Sequence, residues 1–148
     1  MKQVVPIHVK SLDGKAVPPV YATEGSAGFD LVAAEGVTIM PGAWTLIGTR
    51  LAVAVPEGYE LQIRSRSGMA KKGLIVLNQP GTLDSDYRGE IGILLFNVSL
   101  GSQTIVAGDR IAQGVICPVI RADFRLVEEL NETLRGAGGY GSTGQRAG

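Results

Sequence analysis

Two aspartates, Asp84 and Asp86, lie with a tyrosine, an arginine and a side-chain amide inside one short stretch, Asn78-Gln-Pro-Gly-Thr-Leu-Asp-Ser-Asp-Tyr-Arg-Gly-Glu90. A carboxylate beside a water molecule orients it and accepts its proton, which is the chemistry of assisted hydrolysis. Other readings of Asp-x-Asp compete. In a turn it often caps backbone amides. As a calcium loop it lacks the further ligands and a closing Glu at the right spacing. A glycosidase pair is not excluded by spacing, but aromatic residues make up only 5% of the chain, which leaves little surface for stacking sugars. A turn that merely reversed the chain would need one or two special residues. So many functional groups together argue for a small-molecule pocket containing a catalytic carboxylate.

Something must hold that stretch in place. Apolar residues run from Leu74 to Leu77 before it and from Ile91 to Phe96 after it, so the unit reads as a β-hairpin with an elaborate tip. Further strand-like runs are Val4–Val9, Thr45–Ile47, Leu51–Val55, Glu60–Ile63 and Ile111–Ile116, punctuated by 21 glycines and seven prolines. That rhythm predicts an all-β chain, an antiparallel sandwich or barrel, with one short helix. Phe124, Val127, Leu130 and Leu134 also fit a helical stripe, but strand and loop are the expectation there. With 148 residues, 45% of them hydrophobic, and no repeat or linker, the chain forms one domain, residues 1–134, followed by a glycine-rich arm, residues 135–148.

Lys plus Arg balance Asp plus Glu at 14 each, so no general basic field exists to hold a long nucleic acid. A single cysteine, Cys117, fits a reducing cytoplasm and reads as a small buried hydrophobe. No secretory signal and no apolar run of membrane-spanning length is visible. The expectation is a cytoplasmic protein.

Three other places carry candidate chemistry. Asp30, among the small residues of Ser26-Ala-Gly-Phe-Asp-Leu-Val-Ala-Ala, is placed to orient a neighbouring arginine, or simply to start a strand. Ser67 to Lys72 reads as a short helix with Ser67 as N-cap and Gly73 ending it. A helix start with Arg66 and the Ser67 hydroxyl beside it suits a phosphate; a capped turn with solvated cations is the plain alternative. Gly108-Asp-Arg-Ile-Ala-Gln113 reads as a turn entering a strand. In the tail, Gly136, Gly138 and Gly141 satisfy G-x-G-x-x-G, but no βαβ unit surrounds them and the match is spurious. Arg135, Tyr140, Ser142 and Thr143 there suit an arm that orders over a ligand.

Five segments in this order resemble the trimeric dUTP diphosphatases (dUTPases): Ala27-Gly-Phe-Asp-Leu; Arg66-Ser-Gly-Met-Ala; Gly81-Thr-Leu-Asp-Ser-Asp-Tyr-Arg-Gly-Glu; Gly108-Asp-Arg-Ile-Ala-Gln; and Arg135-Gly-Ala-Gly-Gly-Tyr-Gly-Ser-Thr-Gly. The resemblance spans Ala27 to Gly144 and implies a jelly-roll-like β fold, a homotrimer with active sites shared between subunits, and Mg²⁺-dependent hydrolysis of dUTP to dUMP and pyrophosphate. Carried over by position, it makes Asp84 the residue that activates the attacking water. Tyr87 lies under the deoxyribose, and Asn78 with the backbone near Thr82, Leu83 and Gly92 reads uracil. Arg66, Ser67, Gly68 and Gln113 hold phosphates; Arg135, Tyr140, Gly141 and Ser142 close the site. Asp30 supports this group from behind, and Mg²⁺ is held by the triphosphate and water, with no ligand directly from the protein.

The chain departs from the family at Ser65, where a proline is frequent and a looser turn is expected, and at Tyr140, where phenylalanine is usual. The rival functions are a dCTP deaminase or bifunctional deaminase of related fold, with Glu90 the only acid candidate, and a non-catalytic nucleotide-binding protein. Deleting the chain from Arg135 should leave the fold intact and lower turnover at least about tenfold; unchanged steady-state kinetics would reduce the arm to a passive tail.

Overall fold

A computed structural model describes residues 4–140. The chain folds as two four-stranded antiparallel sheets, with a small two-stranded sheet beside them. Strands β1 (His8–Ser11), β4 (Trp44–Ala54), β8 (Glu90–Asn97) and β6 (Leu74–Val76) form one sheet in the order β1-β4-β8-β6. Strands β2 (Phe29–Val32), β10 (Arg110–Pro118), β5 (Tyr59–Arg64) and β7 (Gly81–Leu83) form the other in the order β2-β10-β5-β7. Strands β3 (Val37–Ile39) and β9 (Gln103–Ile105) pair with each other. This is the expected sandwich; the sheets do not join into a closed barrel. Among the described residues no helix is long and apolar enough to cross a membrane.

Alternation explains the packing. In β8, Ile91, Ile93 and Leu95 point inward and are wholly buried, together with Ile47, Leu61, Leu74 and Ile111 from both sheets. With side chains alternating across the strand, the residues between them face outward. That outer face is apolar too: Trp44 pairs with Phe96, Leu46 with Leu94, and Ile75 with Phe96. Trp44 and Leu46 are about 60% exposed (59% and 60%), so this sheet presents a second apolar surface beyond the core.

The hairpin differs from its expected form. Its arms pair as predicted, with Leu74 opposite Asn97 and Val76 opposite Leu95. The tip, however, contains strand β7, which crosses to the other sheet and pairs with β5 through Leu83–Leu61, Thr82–Gln62 and Gly81–Ile63. Strand order leaves β7 at an edge, with its second row of main-chain groups unpaired by the sheet.

Other expectations need correcting. The first strand is His8–Ser11 rather than Val4–Val9, and the helix, α1, is only Ser67–Ala70, with Arg66 in the N-cap position and no side-chain cap. Residues 119–134 form neither strand nor helix, and Phe124, Leu126 and Leu134 are fully or almost fully exposed. Cys117 is half-buried, with Sγ 3.7 Å from an Arg64 guanidinium nitrogen, because the end of β10 runs beyond the core.

One buried polar residue ties the loops to the sheets. Asn97 is wholly buried. Its Nδ2 donates to the carbonyls of Ile39 and Gly101 at 2.9 and 2.8 Å, and its Oδ1 accepts from the Ser99 N–H and hydroxyl at 2.9 and 2.7 Å. Asn97→Ala should destabilise the fold by about 2–4 kcal/mol, since each buried group left without a partner costs about 1–3 kcal/mol. Denaturant unfolding checks this; a loss under about 1 kcal/mol would mean that the pocket left behind rehydrates freely.

Candidate active site

Leaving one sheet for the other opens a pocket of about 200 Å³ under the hairpin. Its wall comes from Val76, Asn78, Gly81, Thr82, Leu83, Asp84, Tyr87, Glu90, Gly92 and Leu94, with Ile63 beneath. The hairpin residues that the resemblance assigns to the ligand, Asn78, Thr82, Leu83, Asp84, Tyr87 and Gly92, are all among them. A small cavity lined largely by polar groups, with Ile63, Val76, Leu83 and Leu94 supplying apolar surface, suits a flat heterocycle that hydrogen-bonds along its edge. The Asp84 carboxylate stands exposed at its rim, while the Asp84 carbonyl accepts the Tyr87 N–H at 3.1 Å. Asp86 is exposed and does not line this pocket. Arg88 braces the tip instead, donating to the carbonyls of Ser85 and Tyr87 at 2.7 and 2.8 Å.

A second cluster gathers at the far end of β5 and β10, where Gln113 pairs with both Arg64 and Asp30. Arg66 Nε meets Asp30 Oδ1 at 2.8 Å, and Arg110 NH1 lies 3.5 Å from Asp30 Oδ2. Arg66 also donates from NH1 to the Arg110 carbonyl at 2.9 Å. Two of its five N–H donors are thus used, and the rest remain for an anion. The amides of Ser67 and Gly68 at the start of α1 have no acceptor among the described residues. Because α1 is a single turn, its dipole adds little; the cluster's positive charge comes from the two guanidiniums.

Gln113 acts first as a brace. Its Nε2 donates to the Ser65 carbonyl at 2.9 Å, and its Oε1 lies where a side chain at Gly28 would have to be, 2.6 Å from an added Cβ. Ser65 joins the two clusters: its N–H donates to Gln79 Oε1 at 3.1 Å and its hydroxyl accepts the Val76 N–H at 2.8 Å. A proline there offers neither bond. Ser65 therefore ties the turn to the hairpin rather than loosening it.

Within one chain the two clusters stay separate: none of Asp30, Arg66, Ser67, Gly68 or Gln113 lines the hairpin pocket. Arg135 and Tyr140 also stand apart. Arg135 donates to the Gly138 carbonyl at 2.8 Å, and Tyr140 is fully exposed with φ of 50°. Gly141 and Ser142 lie outside the described residues. A larger cavity of about 820 Å³, bordered by Val5, Tyr21, Phe29, Leu61 and Ile116, contains none of the candidate residues. Its wall is mainly apolar, so its size does not make it the reacting site.

The sequence reading missed Glu90 as a structural part of the pocket. Its Oε1 accepts the Arg50 N–H at 2.7 Å, and Arg50 NH1 lies 3.6 Å from Oε2. Both carboxylate oxygens therefore face the protein. No group of three or more His, Cys, Asp or Glu side chains suited to holding a metal occurs among the described residues. A hard cation needs several oxygen donors. Among the described residues Asp84 has no ion-pair partner while Asp30 and Glu90 do, so Mg²⁺ fits here only if a ligand's phosphates and water supply most of its shell.

Comparison with known proteins follows the same lines. A dUTPase family model matches residues 15–144. The deoxyuridine 5'-triphosphate nucleotidohydrolase of Nautilia profundicola is 54% identical over 140 residues, covering 94% of this chain and 99% of the relative. That of Helicobacter pylori is 48% identical over 139 residues, covering 93% and 96%. Among solved structures, a dUTPase of Staphylococcus bacteriophage 80alpha with dUpNHpp superposes with a TM-score of 0.87 at 31% identity, covering 95% of this chain and 99% of that one. A dUTPase of phage phi11, described with a structural Mg(II) ion, gives 0.79 at 28% identity, covering 86% and 99%. Matched along nearly its whole length, the chain belongs to the dUTPase family.

Proposed function

We propose that the protein hydrolyses dUTP to dUMP and pyrophosphate, removing dUTP and supplying dUMP for thymidylate synthesis. The observation that carries this reading is the small pocket bounded by the free edge of β7 and the start of β8. Uracil presents an acceptor–donor–acceptor edge, and an edge strand offers main-chain donors and acceptors at fixed spacing. Cytosine would leave buried groups unpaired, at about 1–3 kcal/mol each. Asn78 completes the base contacts, and the Tyr87 ring lies against the deoxyribose and refuses a 2′-hydroxyl.

Asp84 at the rim orients a water molecule toward the α-phosphorus and accepts its proton. Pyrophosphate leaves from the other side. Displacement at a polyanion needs alignment and charge neutralisation more than covalent help. Arg66, held at Nε by Asp30, offers its remaining N–H groups to phosphate oxygens, with the Ser67 and Gly68 amides and Gln113 beside it. Mg²⁺ bound by the triphosphate supplies further charge neutralisation when present. Arg135, Tyr140, Gly141 and Ser142 close over the ligand, the tyrosine ring stacking where phenylalanine is usual.

The two separated clusters support a homotrimer in which one subunit's hairpin faces another's phosphate cluster. So do the apolar outer face of Trp44, Leu46 and Phe96 and the exposed apolar residues of 119–134, which lack cover within one chain. A cytoplasmic location, with no membrane and no stable nucleic-acid partner, completes the reading. Glu90 does not favour a deaminase, since its carboxylate is engaged by Arg50.

Asp84→Asn should lower pyrophosphate release from dUTP at least about a hundredfold with KM little changed; activity surviving the change would remove Asp84 as base. Asp30→Ala should raise the KM for dUTP about tenfold by freeing Arg66, and an unaltered KM would show that Arg66 needs no anchor. Ammonia released from dCTP would replace the hydrolase reading with the deaminase one. Native mass spectrometry should give three times the 15.5 kDa chain mass, and a monomer active at the same rate would exclude shared sites.

A further inference from the structure

Strand β4 carries a bulge opposite the hairpin's return. Gly48 pairs with Gly92 and Ala52 with Glu90, so β4 advances four residues while β8 advances two. Inside the bulge Arg50 has φ of 57°, a left-handed backbone uncommon for any residue with a side chain. That conformation turns its N–H to Glu90 Oε1, at 2.7 Å. Glu90 reaches it across Gly48, where an added Cβ would lie 2.4 Å from the same oxygen. Thr49 secures the bulge from the inside, its hydroxyl donating to the Ile91 carbonyl at 2.8 Å.

The other end of Glu90 faces the site. Its main-chain carbonyl accepts the Tyr87 hydroxyl at 3.0 Å, and the tyrosine ring folds back over Gly89, where a Cβ would lie 2.3 Å from that hydroxyl. Residue 90 thus joins the β4 bulge through its carboxylate to the ring of Tyr87 through its backbone. We propose that Glu90 is a positioning residue for substrate selection, its carboxylate locking the base of the hairpin so that Tyr87 keeps the angle at which it meets the sugar. The inference rests on the dUTP reading of the pocket.

The working contact is the one to the Arg50 amide, because a bond of 2.7 Å from a fixed main-chain N–H is short and directional. The guanidinium lies farther away, at 3.6 Å, and both side chains are partly solvated (43% and 29% exposed), so that ion pair is weak. Reach therefore matters more than charge. Aspartate keeps the charge and is one methylene too short; glutamine loses the charge and keeps an acceptor at the right distance.

The experiment measures kcat and KM for dUTP and UTP with wild type, Glu90→Asp and Glu90→Gln, checking each for folding by thermal melting. In Glu90→Asp the KM for dUTP should rise about tenfold and the preference for dUTP over UTP should shrink about tenfold, kcat changing less than about threefold. Glu90→Gln should stay within about threefold of wild type in all of them. If the aspartate variant does not fold, Glu90→Ala takes its place. The reverse order, with Gln impaired and Asp normal, would overturn the proposal in favour of a charge role, as would equal loss in both. Two variants indistinguishable from an active wild type would overturn it while leaving the dUTP reading standing. A wild type inactive on dUTP would remove both.

Discussion

The arrangement depends on a main-chain constraint. Between β6 and β8 the chain leaves one sheet, adds three residues to the other, and returns. Each of those residues carries a donor and an acceptor that must be satisfied. Pairing with β5 uses one edge of β7; the other edge is what a flat, hydrogen-bonding ring can complete. Recognition by backbone has a thermodynamic advantage. The groups are fixed by folding, so no side-chain rotamers need be frozen when ligand arrives.

That constraint sets the tolerances around it. A crossing strand of three residues has few bonds of its own, and its angle is decided at its two ends. At one end Ser65 ties Gln79 and Val76 to the turn before α1. At the other, Glu90 fastens the return to the β4 bulge. The bulge stores strain, since a non-glycine residue in a left-handed conformation costs about 1–3 kcal/mol. Arg50 holds that conformation because Glu90 and the Leu12 N–H, which donates to the Arg50 carbonyl at 2.9 Å, satisfy both of its main-chain groups.

Much of this was legible in the sequence, for reasons that differ by element. Strand β8 was legible as a strand from its apolar run, Ile91 to Phe96, after a turn-rich stretch, although with both faces apolar the period does not tell inward from outward. The residues of the pocket stood together in one stretch, so local order was enough to gather them. Asp30 was expected to orient a neighbouring arginine that the sequence did not identify, and the structure supplies Arg66, at 2.8 Å. Strand β7 was not legible, because Gly81-Thr-Leu83 has the composition of a turn and its partner, β5, is distant in sequence. The cap of α1 was misplaced by one residue, a serine beside a helix start being the ordinary signal. Residues 119–134 misled the reading because their apolar side chains find no cover within one chain, and periodicity supposes that they do. Glu90 was weighed only as an acid, since nothing local in the sequence shows a bulge in a strand 40 residues away.

The electrostatics complete the argument. A chain with equal numbers of acidic and basic residues cannot attract a triphosphate by its net field. Attraction must come from a few cations held where they are needed. Two guanidiniums side by side repel each other, and Asp30 between Arg66 and Arg110 offsets that repulsion while leaving donors directed elsewhere. One carboxylate shared by two arginines leaves a local excess of a single positive charge. On the proposed reading that excess favours an anion, and the rest of a triphosphate's charge is met by groups outside this cluster. A division of labour between a fixed, modest cation site and contacts that form only with substrate suits an enzyme that must release a charged product.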